Sequence, residues 1–178
     1  MATYHSSITD EQAHLIRNAA MFFVATADPA LACGPHDVGP VNVSPKGGVP
    51  LHILDRNRVA YLDYRGTGNE TARHCMAGGP ITVMVCSFEE NDAAIVRLFG
   101  KARVTPLADS PLAALLIGQS TAGLKGPPRQ VIEVDIESTM TSCGYGVPVM
   151  SFVRQRRMVD RGRRYKTEQT ARRLSEVK

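Results

Sequence analysis

The spacing of apolar and polar residues predicts a chain built mainly from short β-strands. Residues 21–27 form an apolar run that is typical of a buried strand. Residues 129–137 alternate instead, and this pattern places Ile132, Val134 and Ile136 on one face of a strand and Val131, Glu133 and Asp135 on the other. Further strands are predicted at 41–44, 50–54, 58–64, 81–88, 93–104 and 130–137. Many short strands separated by turns favour a barrel over a doubly wound parallel sheet.

Helices are predicted at only three places along the chain. Thr9-Asp-Glu-Gln12 fits a capping box and predicts a helix from about Asp10 to Ala20. A second helix is expected to open at Asn69-Glu70-Thr71 and to run through Met76, and a third is expected over Ser110–Gly118. The predicted fold class is therefore mainly β (α+β), with a few peripheral helices.

Two polar segments that follow predicted strands have the composition of an anion site. Ser44-Pro45-Lys46-Gly47-Gly48 offers a hydroxyl, an ammonium group and close backbone approach. Arg65-Gly66-Thr67-Gly68 joins the strand at 58–64 to a helix whose first N–H groups are free to bind a phosphate. Neither segment matches G-x-x-x-x-G-K-[ST] or G-x-G-x-x-G, so the familiar nucleotide loops are not indicated.

Together with Arg97-Leu-Phe-Gly100 and Cys143-Gly-Tyr-Gly-Val-Pro148, these segments resemble the pyridoxamine-phosphate-oxidase-like family of flavin-binding split β-barrels, over roughly residues 8–150. The resemblance implies a split barrel, an FMN cofactor and a homodimer with the flavin at the subunit interface. It implies phosphate contacts from Ser44, Lys46, Asn69 and Thr71. It places Asp63, Tyr64 and Arg65 along the isoalloxazine edge, with Arg97 as a further candidate for cofactor binding.

Several of these assignments have simpler alternatives. Lys46 also fits an ordinary solvated turn, and Thr67 or Asn69 also fits a helix cap. Arg97 either faces solvent or points into the flavin groove. Glu70 would repel a phosphate, so it is expected to orient a neighbouring cation. The candidate cations are Arg65, Arg73 and Lys46.

The chain departs from the vitamin B6 oxidase that gives the family its name. It has no tryptophan and no Arg-Leu-His-Asp-Arg stretch near its end, and Ile95 stands about where that enzyme has a flavin-contacting glutamine. The resemblance therefore implies an oxidoreductase acting on an unidentified small molecule, and no catalytic residue is predicted. The alternative is a non-catalytic sensor or carrier that binds flavin, haem or deazaflavin.

Length and composition bear on the number of domains, on the cellular compartment and on metal binding. With 178 residues the chain is long enough for one domain with a real core, and no apolar run approaches the roughly 20 residues of a membrane span. The four cysteines form no C-x-x-C pair and no secretion signal is evident, so a cytoplasmic protein with free thiols is expected. Cys143 is expected to be a small packed residue. Cys33 and His36 form only half of a zinc site, so no metal is predicted.

Charge divides the chain into two parts. Residues 154–178 contain ten Lys or Arg and three Asp or Glu, so this segment has a net charge of +7. The whole chain has a net charge of +4, so residues 1–153 have a net charge of −3. We therefore expect a flavin-binding split-barrel domain at 1–153 and a basic C-terminal arm at 154–178. The arm lacks interleaved aromatic residues and any known nucleic-acid motif, so a solvated arm is favoured over a nucleic-acid contact.

Overall fold

The computed structural model describes residues 1–34, 39–65, 68–119 and 128–156, and these ranges form a curved antiparallel sheet with short helices around it. The strands are β1 (Thr3–His5), β2 (Met21–Ala27), β3 (Val41–Gly47), β4 (His52–Asp55), β5 (Arg58–Tyr64), β6 (Ile81–Cys86), β7 (Ala94–Pro106) and β8 (Pro128–Cys143). The helices are α1 (Asp10–Asn18), α2 (Glu70–Met76) and α3 (Ala113–Gly118), and a 3₁₀ turn covers Leu107–Asp109.

The strands are ordered β3-β2-β6-β7-β8-β5-β4, and β1 pairs with the far end of β8. All of the pairings are antiparallel. The long strands β7 and β8 run side by side from Ala94 and Cys143 to Pro106 and Gln130, and β8 also pairs with β5. One face of the sheet closes over a core that includes Val24, Val83, Leu98, Tyr61 and Ile132. This architecture confirms the predicted mainly-β barrel with few helices.

The element boundaries differ from the predicted ones mainly at strand ends. β3 continues to Gly47, β8 covers Pro128–Cys143 instead of 130–137, and α3 begins at Ala113 instead of Ser110. β1 was not predicted. Val131, which was expected on the face opposite Ile132, is also buried, and the 3₁₀ turn at Leu107–Asp109 packs against β8.

The first helix begins where its capping box predicts. The backbone N–H of Thr9 donates to Gln12 Oε1 at 3.1 Å, and the N–H of Gln12 donates to Thr9 Oγ1 at 3.2 Å. The side chain of Gln12 then continues inward, where it donates to Thr141 and accepts from Thr139 of β8. The capping box therefore also attaches α1 to the sheet, which the sequence pattern did not indicate.

Candidate functional site

The polar residues of β3 lie on the same face of the sheet as the buried residues of β2. Directly opposed residues of antiparallel strands share a face. The opposed pairs are Asn42–Thr26, Ser44–Val24 and Lys46–Phe22. Two of the predicted phosphate contacts, Ser44 and Lys46, therefore point into the barrel and not into solvent.

Lys46 reaches across the barrel to Asp63, at the end of β5. Its Nζ lies 3.3 Å from Asp63 Oδ1. The other carboxylate oxygen, Oδ2, accepts from Arg129 Nε at 2.8 Å and from Gln130 Nε2 at 2.8 Å. Because β3 lies at one end of the sheet order and β5 near the other, these contacts join the two ends of the curved sheet. We call Lys46, Asp63, Arg129 and Gln130 the Asp63 cluster.

The Asp63 cluster is largely shielded from water. The side chain of Asp63 is 7% exposed, and those of Lys46 and Arg129 are 18% and 23% exposed. At these exposures the attraction within each ion pair is screened less by water than in a surface pair, but it also has to offset the cost of removing both charges from water. The cluster holds two cations and a single carboxylate, so it carries a surplus positive charge.

The start of α2 is attached to the same cluster. Gln130 Nε2 donates to Asn69 Oδ1 at 3.0 Å, and Arg129 Nη2 donates to the carbonyl oxygen of Gly68 at 3.2 Å. Asn69 is the N-cap residue of α2, but its side chain makes no capping hydrogen bond. The capping role considered for Asn69 is therefore wrong, and its amide serves the cluster instead. Thr67, the other candidate cap, lies outside the described residues.

A second group of polar contacts joins α2 to the inner face of β3. Asn42 Nδ2 donates to Thr71 Oγ1 at 3.0 Å, and Ser44 Oγ donates to Asn42 Oδ1 at 3.1 Å. In this arrangement Thr71 accepts and keeps its own O–H proton for another partner. Ser44 uses its proton on Asn42. The two hydroxyls predicted at the site thus differ in their capacity to donate to an anion.

Further along α2, a buried histidine continues this network. His74 is 0% exposed, and its Nδ1 lies 3.0 Å from Thr26 Oγ1 while its Nε2 lies 3.0 Å from Arg73 Nη2. Arg73 Nη1 in turn donates to Asp28 Oδ2 at 3.3 Å. These contacts fix α2 against β2.

The expected role of Glu70 as an orienting carboxylate is wrong. Arg73 pairs with Asp28 and Lys46 pairs with Asp63, and within the described ranges Glu70 makes no ion pair. Its carboxylate instead folds back beside Gly68, where a Cβ atom would overlap it. Asp63, near the end of β5, and Asp28, just after β2, lie within reach of these cations, whereas the carboxylate of Glu70 turns back along its own chain.

Tyr61 lies beneath the Asp63 cluster. Its ring packs edge-on against Phe22 with the centroids 5.2 Å apart, and Lys46 Nζ lies 5.8 Å from the Tyr61 ring centroid. Burial, assisted by the charge of Asp63, raises the pKa of the Tyr61 phenol well above its ordinary value. The phenol therefore stays neutral, and in the described part of the chain its buried hydroxyl has no hydrogen-bond partner.

We expect Tyr61→Phe to stabilise the apoprotein by about 1 kcal/mol, because it removes a buried hydroxyl without a partner and keeps the ring. Urea unfolding of the two apoproteins measures the difference. His74→Phe serves as a contrast, since it removes a buried polar group that has partners, and it should destabilise. A clear loss of stability in Tyr61→Phe would show that the hydroxyl is hydrogen-bonded after all.

We call the Asp63 cluster together with Thr26, Asn42, Ser44, Asn69, Thr71 and His74 the inner network. Three further residues were predicted to bind the cofactor. Tyr64 is half-buried at the end of β5, and Arg65 is exposed just beyond it. Arg97 lies opposite Met84 on β6 and Met140 on β8, between the buried residues Val96 and Leu98. Arg97 therefore occupies the outer face of the sheet, where its Nη1 donates to Ser142 Oγ at 3.0 Å.

The two buried cysteines are poorly suited to act as nucleophiles. Burial raises the pKa of Cys75 to about 11 and also raises that of Cys86, so both thiols are disfavoured as thiolates. Cys143 is exposed, and the expectation that it packs is wrong, because the backbone turns out of the sheet at Gly144. In the described ranges, no group of three His, Cys, Asp or Glu side chains is arranged to hold a metal.

A cavity of about 970 Å³ opens at the C-terminal end of β3, between α1 and the segment at 150–156. It is lined by Pro45, Gly47 and Gly48 from the chain around Lys46, and by Cys86, Phe88 and Phe152. Gln155 Nε2 donates to the carbonyl oxygen of Ala20 at 3.1 Å and holds this segment against the barrel. Pro45 points to the outer face, so the cavity lies outside the barrel and not within the Asp63 cluster.

Arg129 and Gln130 are the contacts that sequence reasoning missed. They were assigned only to an alternating strand, with no chemistry attached. The signal that identifies them is the register of β5 against β8, which places Gln130 opposite Asp63. A charged residue at the start of a strand has no predicted partner until that register is known.

The comparisons with known proteins agree with this architecture. No family model matches the chain. A pyridoxamine 5'-phosphate oxidase family protein, ustO of Aspergillus flavus, is 34% identical over 152 residues, which are 84% of this chain and 57% of that protein. The chain therefore spans little more than half of that relative's length.

Two solved structures show the likeness of fold. A single-site variant of HupZ from Group A Streptococcus has a TM-score of 0.56 at 21% identity, covering 76% of this chain and 99% of its own. An FMN-binding protein from Syntrophomonas wolfei has a TM-score of 0.51 at 13% identity, covering 79% and 84%.

Proposed function

The chain belongs to the pyridoxamine 5'-phosphate oxidase family, and from that premise we propose that it is an FMN-binding oxidoreductase that acts on a small molecule. The observation that carries this proposal is the convergence of predicted phosphate contacts on the inner face of one barrel. Lys46 is connected to Asn69 through Asp63 and Gln130. Thr71 belongs to the second group of contacts, in which it binds Asn42 on the same face of β3 as Lys46.

The donor set suits a phosphate. Lys46 has three N–H donors, and Asp63 takes one of them. Thr71 keeps its O–H proton, whereas Ser44 has to release Asn42 before it can donate. We therefore assign phosphate binding first to Lys46 and Thr71, with Asn69 beside them and Ser44 in a lesser role.

FMN supplies hydride and single-electron transfer when it is bound. The chain's own residues would bind and orient it: the inner network would hold the phosphate, and Tyr64 and Arg65, at the end of β5, would contact the flavin ring. No side chain is assigned as a catalytic acid or base. The absorption spectrum of the purified protein, followed by identification of the cofactor released on heating, tests the proposal.

A flavin spectrum that is bleached by NAD(P)H and restored by a second substrate supports the oxidoreductase. A Soret band, or binding of deazaflavin alone, would overturn the choice of FMN. Flavin that cannot be reduced by any nicotinamide donor favours a carrier or a sensor instead.

We also propose that the protein is a homodimer whose partner covers the outer face of the sheet. Val41 and Val43 of the edge strand β3 are 63% and 65% exposed, and Phe23 and Met84 continue this apolar surface toward Arg97. Exposed apolar patches of this kind are typical of interaction sites. In such a dimer Arg97 lies on the surface that the partner subunit covers. This position accounts for the separation of Arg97 from the inner network.

Replacing Val43 by Glu should dissociate the dimer, because it places a charge in the apolar interface without disturbing the core. Sedimentation should give twice the 19.3 kDa of one chain for the natural protein and a single chain for Val43→Glu. Met76→Glu is the control, since Met76 is 66% exposed on α2, away from this face. A natural protein that sediments as a single chain while it holds flavin contradicts the proposal.

In the described part of the chain, none of the helices is long and apolar enough to cross a membrane. The division into a domain at 1–153 and a basic arm at 154–178 stays a prediction, since residues 157–178 lie outside the described ranges.

A further inference from the structure

We propose that Arg129 is the second cation of the phosphate site and that Asp63 is a positioning residue that holds Arg129 and Lys46 together. The proposal rests on the assignment of FMN binding and deepens it. It also changes the role of Asp63, which the family resemblance places at the isoalloxazine edge.

Asp63 is already fully engaged within the chain. Oδ1 accepts from Lys46, and Oδ2 accepts from both Arg129 and Gln130. The side chain is 7% exposed. A carboxylate that is buried and accepts three charged or polar donors has little capacity left for a ligand, so its main effect is to fix its partners.

The net charge of the Asp63 cluster differs from that of a second group of ion pairs, which is formed around Arg58 and Arg103. Arg58 and Arg103 share Asp55, Glu133 and Asp135, so their group carries a surplus negative charge. Those two arginine side chains are 48% and 61% exposed. In the Asp63 cluster the surplus charge is positive and shielded. The Glu70 carboxylate lies beside Gly68 but makes no ion pair with either cation, so the cluster still favours a bound counter-ion.

Arg129 is held in a fixed orientation with donors to spare. Nε is bound to Asp63, and Nη2 is bound to the carbonyl oxygen of Gly68. Within the described ranges, Nη1 makes no hydrogen bond or ion pair. A guanidinium fixed by two contacts loses little freedom when it donates to a phosphate, and its remaining N–H groups suit phosphate oxygens.

Lys46 contributes its own spare donors beside this guanidinium, since both cations bind the same carboxylate. Two cations that neutralise one carboxylate leave a single positive charge and several N–H donors. The ligand class that matches is a phosphate monoester, here the terminal phosphate of FMN. The cluster then selects the phosphorylated flavin over riboflavin.

Titration calorimetry of the apoprotein with FMN and with riboflavin tests the role of Arg129. Arg129→Gln should weaken FMN binding about tenfold to a hundredfold and leave riboflavin within about twofold. Arg129→Lys should give an intermediate loss, since it keeps the charge without the planar fork. Arg103→Gln is the matched control, because it removes an arginine with two carboxylate partners outside the cluster, and it should change neither affinity.

Equal losses for both flavins in Arg129→Gln, or no loss for FMN, would overturn the role of Arg129. If Arg129→Gln does not fold, the ratio of FMN to riboflavin affinity in Arg129→Lys tests the role of Arg129. A reduced ratio of FMN to riboflavin affinity then supports the proposal, and an unchanged ratio overturns it.

Asp63→Asn tests the positioning role separately. FMN binding should weaken because the two cations lose their shared anchor, while riboflavin binding should not change. A loss of riboflavin affinity would return Asp63 to the flavin edge, and unchanged or tighter FMN binding would remove the positioning role.

A wrong assignment of FMN as the cofactor would be recognised separately, because the natural apoprotein would then bind neither FMN nor riboflavin. If the natural apoprotein binds neither flavin, inorganic phosphate becomes the probe, with the thermal midpoint as the readout. Phosphate that raises the midpoint of the natural chain but not of Arg129→Gln supports the anion site without flavin. Phosphate that protects neither protein, or both equally, overturns it.

Discussion

Replacing Gly100 by Ala should destabilise the protein by about 3 kcal/mol, at the upper end of the usual cost of overpacking. Gly100 lies at the register shift between β7 and β8, and a Cβ atom there would overlap the carbonyl oxygen of Asp135 and press on Ile136 Cα. Both obstacles are backbone, so neither can move aside as a flexible side chain would. Urea unfolding of the apoprotein, at fixed protein concentration, measures the loss.

Gly146→Ala is the matched control, because a Cβ at that position meets nothing within 4 Å. It should leave stability nearly unchanged or raise it slightly by restricting the unfolded chain. In a chain of this size, 3 kcal/mol corresponds to a fall of roughly 10 °C in the thermal midpoint. A Gly100→Ala protein as stable as the natural one would mean that β7 and β8 separate at the bulge at little cost.

The sequence predicted the strands well because their signal is local. Apolar runs and alternation define β2, β5 and β7 within a few residues of the observed ends. The capping box placed the start of α1 correctly for the same reason. Beyond Glu137, β8 contains polar residues that do not follow an apolar–polar alternation, so the pattern does not indicate a strand there. Two of them, Thr139 and Thr141, pair with β1 and hydrogen-bond to Gln12 of α1.

The site was only partly predictable because its geometry depends on strand register. The residues on β3 and at the start of α2 were identified from composition and from family resemblance, and Asp63 was named as a candidate at the isoalloxazine edge. The contacts of Asp63 with Lys46, Arg129 and Gln130 were not predicted. Asp63 and Arg129 are 66 positions apart in sequence and meet only because β5 pairs with β8. Glu70 shows the opposite error, since a carboxylate close in sequence was preferred over the aspartates that folding brings to the cations.

Arg97 shows a second feature of the site that the sequence pattern could not predict. Alternation along β7 shows that Arg97 lies on the face opposite Val96 and Leu98, but not which face the ligand occupies. The structure places Arg97 on the outer face and the inner network on the other. A role for Arg97 in flavin binding therefore depends on the partner subunit of the proposed homodimer, and Arg97 stays a prediction until the dimer is tested.

Replacing Lys46 by Ala should weaken FMN binding by about 1.5–3 kcal/mol, or roughly ten- to a hundredfold, because it removes a charge-assisted hydrogen bond to the phosphate. Riboflavin lacks the phosphate and should bind almost unchanged. Thr71→Ala should act in the same direction but less strongly, since it removes a neutral hydroxyl. Glu70→Gln should have little effect or tighten binding slightly, because it removes a like charge near the site. Titration calorimetry with both flavins measures all three variants.

The control is Lys101→Ala, which removes a lysine whose one hydrogen bond within the described ranges goes to the carbonyl oxygen of Gly78. It should change neither affinity. Lys46 also anchors Asp63 across the barrel, so the stability of Lys46→Ala has to be measured beside its affinity. If FMN and riboflavin lose affinity equally, the role of Lys46 is to stabilise the barrel. A residue that contacts only the phosphate cannot affect the binding of riboflavin, which has no phosphate. A loss confined to FMN assigns Lys46 to the phosphate even if the variant is also less stable, since lost stability weakens both ligands alike.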